Sequence, residues 1–338
     1  LRYTVVDVAR EAGVSVATVD RVLNHRGGVR ERTRSLVFET ARRLGYVGEA
    51  SDAGSEVTPV RLDFLLPAGD DPFMRGLSDE IMRQAAGRPA LDARVARIED
   101  GRPENLAAAL LDYRGQTQGV GVVAPDHPAV REALRALSQG GVPVATMVSD
   151  IPHAPRIGFI GVDNRAAGRL AGYLLRRFVG DERPAEVAMF AGSLSYRAHE
   201  EREMGFRHLL AEEAANLRVV ELREMRDDSA RAYAEACSLL DAYPRLAAIY
   251  NIGGGVPGIA QALRERGRAR GMVFVAHEIS GENRRLLIEG ALDAAIDQNP
   301  RVQAREALNV LESAARGVGY APQPIRLQAI FKENVPEG

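Results

Sequence analysis

Between Thr4 and Leu44 the apolar positions recur at helical spacing in short segments. Thr4, with Asp7 three residues on, predicts a capping-box start for a first helix whose buried face is Val8, Ala9 and Ala12. Gly13 ends it. Ser15 is placed to cap a second helix, with Val19, Val22 and Leu23 facing inward and Val16, Ala17, Thr18 and Arg21 left outside near its N-terminal end. Two helices joined through Ala-Gly-Val-Ser predict a helix-turn-helix. After Gly27-Gly28 a third helix is expected from about Glu31 to Leu44, with Leu36, Val37, Thr40, Ala41 and Leu44 on one stripe.

Residues 48–59 (GEASDAGSEVTP) are small and polar without an apolar period, and so form a linker. Beyond Val60 short β-rich runs begin at residues 61, 119, 142, 186, 246 and 272, alternating with amphipathic segments of helical length. That alternation implies parallel sheets covered by helices. The units are too many for one modest sheet, so two similar lobes with a cleft between them are expected, one series before and one after the Ile157 to Val162 run. In open α/β sheets the ligand site lies beyond the carboxyl ends of the strands, which directs attention to the residues just after each run.

The whole chain of 338 residues carries a net charge of -2, which points to no polyanion. Residues 1–47, however, hold nine arginines against five acids, a net +4, leaving about -6 for the remainder. A small basic module on a larger acidic body suits contact with a polyanion at one end only. Cys237 is the sole cysteine, which excludes an intramolecular disulfide, a redox pair and a cysteine-based zinc cluster and fits a reducing compartment. No stretch reaches the roughly 20 apolar residues needed to span a bilayer, and no signal-peptide pattern opens the sequence, so a cytoplasmic location without membrane attachment is expected.

The segment TVVDVAREAGVSVATVDRVLN, residues 4–24, closely resembles the DNA-binding headpiece of the lactose-repressor (LacI/GalR) family. The similarity continues through Val29, Arg30 and Thr33 to Leu44-Gly45-Tyr46. The body resembles the family's core at GVDNRAAGRLAGYLL (161–175), REMGF (202–206), IYN (249–251) and IDQNP (296–300), a core itself similar to periplasmic sugar-binding proteins. The resemblance implies an α/β protein with a three-helix headpiece at 1–47, an atypical hinge linker at 48–59 and an effector-binding core at 60–338. It places the N-lobe at about 60–161 and 298–318 and the C-lobe at about 162–297 and 319–338. It further implies a homodimeric transcription regulator, a repressor, that binds double-stranded operator DNA and responds to a small effector such as a sugar, polyol or sugar acid. Neither catalysis nor a cofactor nor a metal is implied.

Position by position, the resemblance assigns base reading to Val16, Ala17 and Arg21, and phosphate contact or positioning to Thr4, Ser15, Thr18, Asn24, Arg30 and Thr33. Arg21 has the fork geometry for a guanine edge, whereas Val16 and Ala17 offer only apolar contact, for instance with thymine methyls. The effector positions fall on Phe73, Asp126, Asp150, Arg202, Asn251, Glu278 and Gln298, a set suited to a polyhydroxyl ligand. Two departures stand out. Asp20 occupies a position where the family usually has serine, and Ser55 falls where it has a leucine that wedges into the minor groove, so the usual hinge mechanism is not carried over.

Two rival functions share some of these features. Gly253-x-Gly255-x-x-Gly258, with Glu278 twenty residues beyond, has the spacing of a dinucleotide fingerprint and would suit an NAD-linked oxidoreductase. Pro257 interrupts that turn, and the match lies late in the second lobe. A stand-alone sugar-binding protein would share the two-lobed body but would not need residues 4–46. His199-Glu200-Glu201 lacks the second histidine that a zinc site requires.

Overall fold

The computed structural model describes residues 4–23, 29–43, 58–69, 71–99, 102–180 and 183–336. The chain divides into two units, Leu1–Thr58 and Pro59–Gly338. Asn24, Leu44 and linker residues 48–57, with Ser55, lie outside the described residues. No described helix is long and apolar enough to cross a membrane.

The first unit holds α1 (Val5–Glu11), α2 (Val16–Leu23) and α3 (Glu31–Arg43). Thr4 closes a capping box: its backbone N–H donates to the Asp7 carboxylate at 2.9 Å and its hydroxyl accepts from Asp7 N at 3.4 Å. Val8, Ala9 and Ala12 meet Val19, Val22, Val37 and Ala41 in one small core. Leu36 departs from the expected stripe and is 46% exposed. It stands one residue, or 100° of helix rotation, from Val37, and the buried stripe of α3 is centred on Val37, Thr40 and Ala41 instead.

In the second unit, β1 (Val60–Pro67), β2 (Leu91–Ile98), β3 (Val120–Val122), β4 (Val144–Met147) and β5 (Gly158–Ile160) form a parallel sheet of order β2-β1-β3-β4-β5. Its neighbour contains β6 (Ala185–Ala191), β7 (Leu217–Glu224), β8 (Leu246–Asn251), β9 (Val273–His277), β10 (Ala294–Asp297) and β11 (Gln328–Ile330), in the order β11-β10-β9-β8-β6-β7. Among the described residues the β10–β11 pairing alone is antiparallel.

The central strands are apolar on both faces because each face is covered. In β1, Leu62, Phe64 and Leu66 pack against α4 (Pro72–Ala86) and α12 (Pro300–Ala315). Leu65, pointing the other way, meets α5 (Pro103–Asp112) and α6 (Pro128–Gln139). In the second sheet, Val187 and Met189 face α7 (Asn164–Val179) and α8 (Arg197–Glu213). Ala188 and Phe190 face α9 (Ser229–Ala242), α10 (Val256–Glu265) and α11 (Gly281–Glu289). Each fully buried leucine or phenylalanine in these layers contributes about 1.5–3 kcal/mol. The chain passes between the sheets three times, after β5, between β10 and α12, and between α12 and β11.

The apolar runs predicted from the sequence become β1, β3, β4, β6, β8 and β9. β2 and β7 were not among them. Both are edge strands, with Arg94, Arg97, Arg218 and Arg223 on partly exposed faces, so neither has a continuous apolar run.

α7 and α8 approach so closely that a Cβ at Gly168 would overlap the Arg202 carbonyl oxygen, and one at Gly205 the Arg165 carbonyl oxygen. Backbone on both sides leaves nothing flexible to move. Gly168→Ala is therefore expected to destabilise the chain by about 1–3 kcal/mol or more. Gly76→Ala, on α4 with nothing within 4 Å of the new methyl, is expected to be neutral or stabilising by about 0.5–1 kcal/mol. Thermal unfolding of the two variants beside the parent checks the contrast.

Candidate functional site

Two places in the chain gather chemistry at the surface or in a cleft. In the first unit, Ser15 precedes α2 and its hydroxyl accepts from Thr18 N at 3.1 Å while bonding the Thr18 hydroxyl at 2.8 Å. This cap holds the N-terminal turn of α2 so that Ser15, Val16, Ala17 and Arg21 are exposed, while Val19 and Val22 are buried. Val16 is 46% exposed, so it is not part of the headpiece core. Arg30 is exposed just before α3, Thr33 is half-buried in its first turn, and Thr4 is exposed at the start of α1. These side chains combine hydroxyls, apolar methyls and guanidinium groups, the mixture that reads base edges and holds phosphates.

In the second unit, a cavity of about 910 Å³ opens between the two sheets at the carboxyl ends of their strands. Residues following β1, β4, β6, β7, β8, β9 and β10 all line it, among them Asp71, Ser149, Gly192, Asp227, Ile252, Glu278 and Gln298. Five described non-glycine residues have positive φ: Val148 (61°), Arg226 (56°), Asp227 (56°), Glu278 (70°) and Asn299 (53°). Four of them line the cavity and Asn299 adjoins Gln298. Such conformations cost about 1–3 kcal/mol each and persist where the surroundings over-determine them.

Arg202 is the buried cation of this site, 3% exposed. Its Nε donates to Asn164 Oδ1 at 2.8 Å and its Nη1 to the Ile252 carbonyl at 2.9 Å. The guanidinium thereby ties α7 to the turn after β8 and keeps further N–H groups for the cavity it lines.

Three carboxylates face the same space. Asp71 caps α4, accepting from Phe73 N at 3.0 Å; burial, reinforced by the charge of Asp227, pushes its pKa up to about 6. Asp227 accepts from Gly254 N at 2.6 Å, and its carboxylate fills space that a Cβ at Gly192 or Gly253 would occupy. Glu278 accepts from the Gln298 amide, and burial together with the charge of Asp297 raises its pKa to about 8 against the opposing pull of Arg202. Glu278 Oε2 and Gln298 Oε1 are buried acceptors without a donor. His199 and His277 also line the cavity; burial lowers both, aided by the Arg202 charge, and holds the rings neutral.

Of the seven effector positions implied by the resemblance, Phe73, Arg202, Glu278 and Gln298 line the cavity. Phe73 is 6% exposed and packs in the first-sheet core while contributing to the cavity wall. Asp126, Asp150 and Asn251 are not among the lining residues, and each is engaged elsewhere. Asp126 pairs with Arg131 Nε at 2.6 Å. Asp150 accepts from Thr146 Oγ1, Ile151 N and Arg156 at 2.7–2.8 Å. Asn251 is fully buried, donates to the Gly254 carbonyl at 2.7 Å and accepts from Gly253 N, which braces the turn after β8. The resemblance had not singled out Asp71 and Asp227. Asp71 follows a strand that the pattern predicted and so fell within the region to inspect, whereas Asp227 follows β7, which the pattern did not reveal.

The glycine fingerprint also has a packing explanation. Gly253 makes room for Asp227, Gly255 (φ 70°) starts α10, and a Cβ at Gly258 would overlap the Ser229 carbonyl oxygen of α9. Asp227 takes the backbone N–H of Gly254, placing a negative group where a dinucleotide would need its pyrophosphate to bind.

Exposed helix-turn-helix, parallel two-sheet core and interlobe cavity together define a helix-turn-helix protein with a periplasmic-binding-protein-like body. The profile of the bacterial regulatory proteins, lacI family, matches residues 4–49, and that of the periplasmic binding protein domain matches residues 64–318. The chain belongs, over most of its length, to the periplasmic binding protein domain family, and it carries a domain of the bacterial regulatory proteins, lacI family, ahead of it. It is 25% identical over 218 residues to the HTH-type transcriptional regulator DegA of Bacillus subtilis (strain 168), a match covering 63% of this chain and 62% of DegA. The chain thus spans about three fifths of the length of that relative. Among solved structures, GanP, a glucose-galactose binding protein from Geobacillus stearothermophilus, superposes with a TM-score of 0.76 at 20% identity, covering 82% of this chain and 99% of GanP. A solute binding protein from Burkholderia graminis C4D1M in complex with D-arabinose gives 0.77 at 21% identity, covering 83% and 98%. At these identities the likeness is one of fold.

The raised carboxyls make stability depend on pH. Glu278 keeps its proton in the folded chain up to about 8, whereas the unfolded chain releases it near the ordinary value of 4.5. The stability linked to that proton is complete below the unfolded pKa and is lost as the pH rises through the folded one, at no more than about 1.4 kcal/mol per pH unit. Asp71 adds to the loss below its folded value of about 6. Glu278→Gln is expected to flatten the fall in melting temperature between pH 6 and 8, as measured by thermal unfolding across pH.

Proposed function

We propose that the protein is a sequence-specific, DNA-binding transcriptional repressor of the cytoplasm, which acts as a homodimer on a pseudo-palindromic operator. A small hydroxylated effector, a sugar or polyol, bound between the two lobes of the core controls its operator affinity. The observation that carries this reading is the presence in one chain of an exposed N-terminal turn on α2 and a cavity lined by residues from both sheets. Short headpieces that each read one half-site gain affinity when paired, which supports a dimer. The net +4 of residues 1–47 supports contact with phosphates by that part of the chain alone.

The cavity supports a ligand rich in hydroxyls. Planar carboxylate, amide and guanidinium groups at Asp71, Asp227, Glu278, Gln298 and Arg202 can each bond neighbouring hydroxyls, and the wall contains Phe73. The relatives agree with both halves of the proposal: DegA is named a transcriptional regulator, GanP a glucose-galactose binding protein, and the Burkholderia solute binding protein is in complex with D-arabinose. An effector shifts the lobes only by its differential affinity for two arrangements, and groups contributed by both lobes provide one.

Fluorescence anisotropy with operator fragments selected from random duplex DNA tests the DNA half. Arg21→Ala is expected to weaken binding by about 1–3 kcal/mol and to relax selectivity at one base position. Equal binding of the variant and the parent to the selected operator, with equal discrimination against scrambled duplex, would remove Arg21 from the reading surface.

A further inference from the structure

We infer that the effector carries a protonated amine beside its hydroxyls, and that Asp71, Asp227 and Glu278 receive it from the two sides of the cavity. The inference rests on the proposed reading of the cleft as the effector site and names the class of ligand that fits it. Asp71 and Asp227 line the interior as two carboxylates against one guanidinium, that of Arg202, and Glu278, protonated in the empty cleft, becomes a third when a cation bound beside it takes the place of its proton. The remaining charged lining groups are exposed and balanced, Glu99 and Asp228 against Arg102 and Arg226. His199 and His277 supply no compensating charge, since burial holds both neutral.

The hydrogen-bonding inventory points the same way. Gln298, 2% exposed, presents a buried carbonyl oxygen with no donor, and Glu278 Oε2 beside it has no hydrogen-bond partner either. Such acceptors in a cavity wall call for a donor-rich partner. An ammonium supplies three donors and a positive charge and accepts nothing. Asp227 is built into its place, with a strained backbone at φ 56°, a backbone N–H at 2.6 Å and glycines on two sides whose Cβ atoms would collide with it. Asp71 sits close enough to Asp227 to feel its charge, so a cation between them relieves repulsion as well as making bonds. Among the described residues no three His, Cys, Asp or Glu side chains are grouped as a metal site, and the counter-charge that fits this spread of carboxylates is an organic ammonium. A sugar acid or sugar phosphate would instead add an anion to a wall that already has an excess of them.

The test is calorimetric and thermal-shift titration of the full chain with matched sets: glucose, galactose and mannose, their 2-amino-2-deoxy counterparts, their uronates, and sorbitol beside glucamine. In at least one set the amine is expected to bind about tenfold or more tightly than its neutral partner, the uronate not at all. Asp71→Asn keeps the helix cap, and both it and Asp227→Asn are expected to bring the amine-to-neutral ratio near one, with thermal unfolding checking that each variant is folded. A neutral or acidic member that binds as tightly as its amine would overturn the inference and leave the hydroxylated-effector reading standing. An amine preference unchanged in both variants would also overturn it, by placing the amine elsewhere. If no sugar, polyol, amine or uronate binds, the effector reading falls and takes the amine with it.

Discussion

The core is organised around a charge that cannot be titrated away. A guanidinium remains protonated at any pH the fold survives, so burying Arg202 requires fixed hydrogen-bond acceptors around it and nearby negative charge. The Ile252 carbonyl and the Asn164 side chain supply two acceptors, and Glu278, Asp227 and Asp71 supply the field. Each acceptor needs a particular backbone path: Ile252 lies in the turn that Asn251 braces, and Asn164 starts α7, whose glycine seam with α8 brings the two helices together. Arg202 is consequently a structural strut as well as a cavity group. Replacing it by a smaller residue would leave Asn164 and the Ile252 carbonyl short of a donor, so loss of ligand and loss of stability are coupled at this position.

The same requirement explains where the backbone is strained. Val148 and Glu278 take positive φ directly after β4 and β9, and Arg226 and Asp227 do so two and three residues after β7. A strand continued in extended conformation would carry its next side chain past the end of the sheet, whereas a left-handed residue turns the chain at once and leaves that side chain at the cavity mouth. The helices packed on both sheet faces hold these turns in place, so strain at the rim is carried by burial in the layers behind it.

What could be read from the sequence follows from burial. β1, β3, β4, β6, β8 and β9 lie inside sheets covered on both faces, and their sequences are near-continuous apolar runs. β2 and β7 lie at edges where arginines and acidic residues interrupt the apolar positions, which resembles the polar face of a helix as much as a strand. Overlooking β7 hid Asp227. The headpiece was legible almost residue by residue because caps and turn residues declare short helices, although Leu36 shows how a stripe read one position too wide takes in an exposed leucine. Asp126, Asp150 and Asn251 illustrate the opposite limit: residue type at an aligned position names a chemistry, but an arginine five or six residues away, or a neighbouring turn, can claim that chemistry first.

The carboxylates also bear on how the lobes meet. Asp71 belongs to the first sheet's lobe, Asp227 and Glu278 to the second, and the lobes touch directly through few polar contacts, including Asp126 N to the Ser195 carbonyl and Ala198 N to the Ser149 hydroxyl. Bringing Asp71 toward Asp227 and Glu278 raises the energy of the closed arrangement through like-charge repulsion in a poorly solvated space. Proton uptake, as at Glu278, relieves part of that cost, and a cationic donor relieves more of it. With a cation in the cleft, the groups that oppose closure become those that reward it. A ligand of that kind is differential by construction, since its contacts from both lobes exist together only when they close, and the differential is the free energy available to reposition whatever the lobes carry.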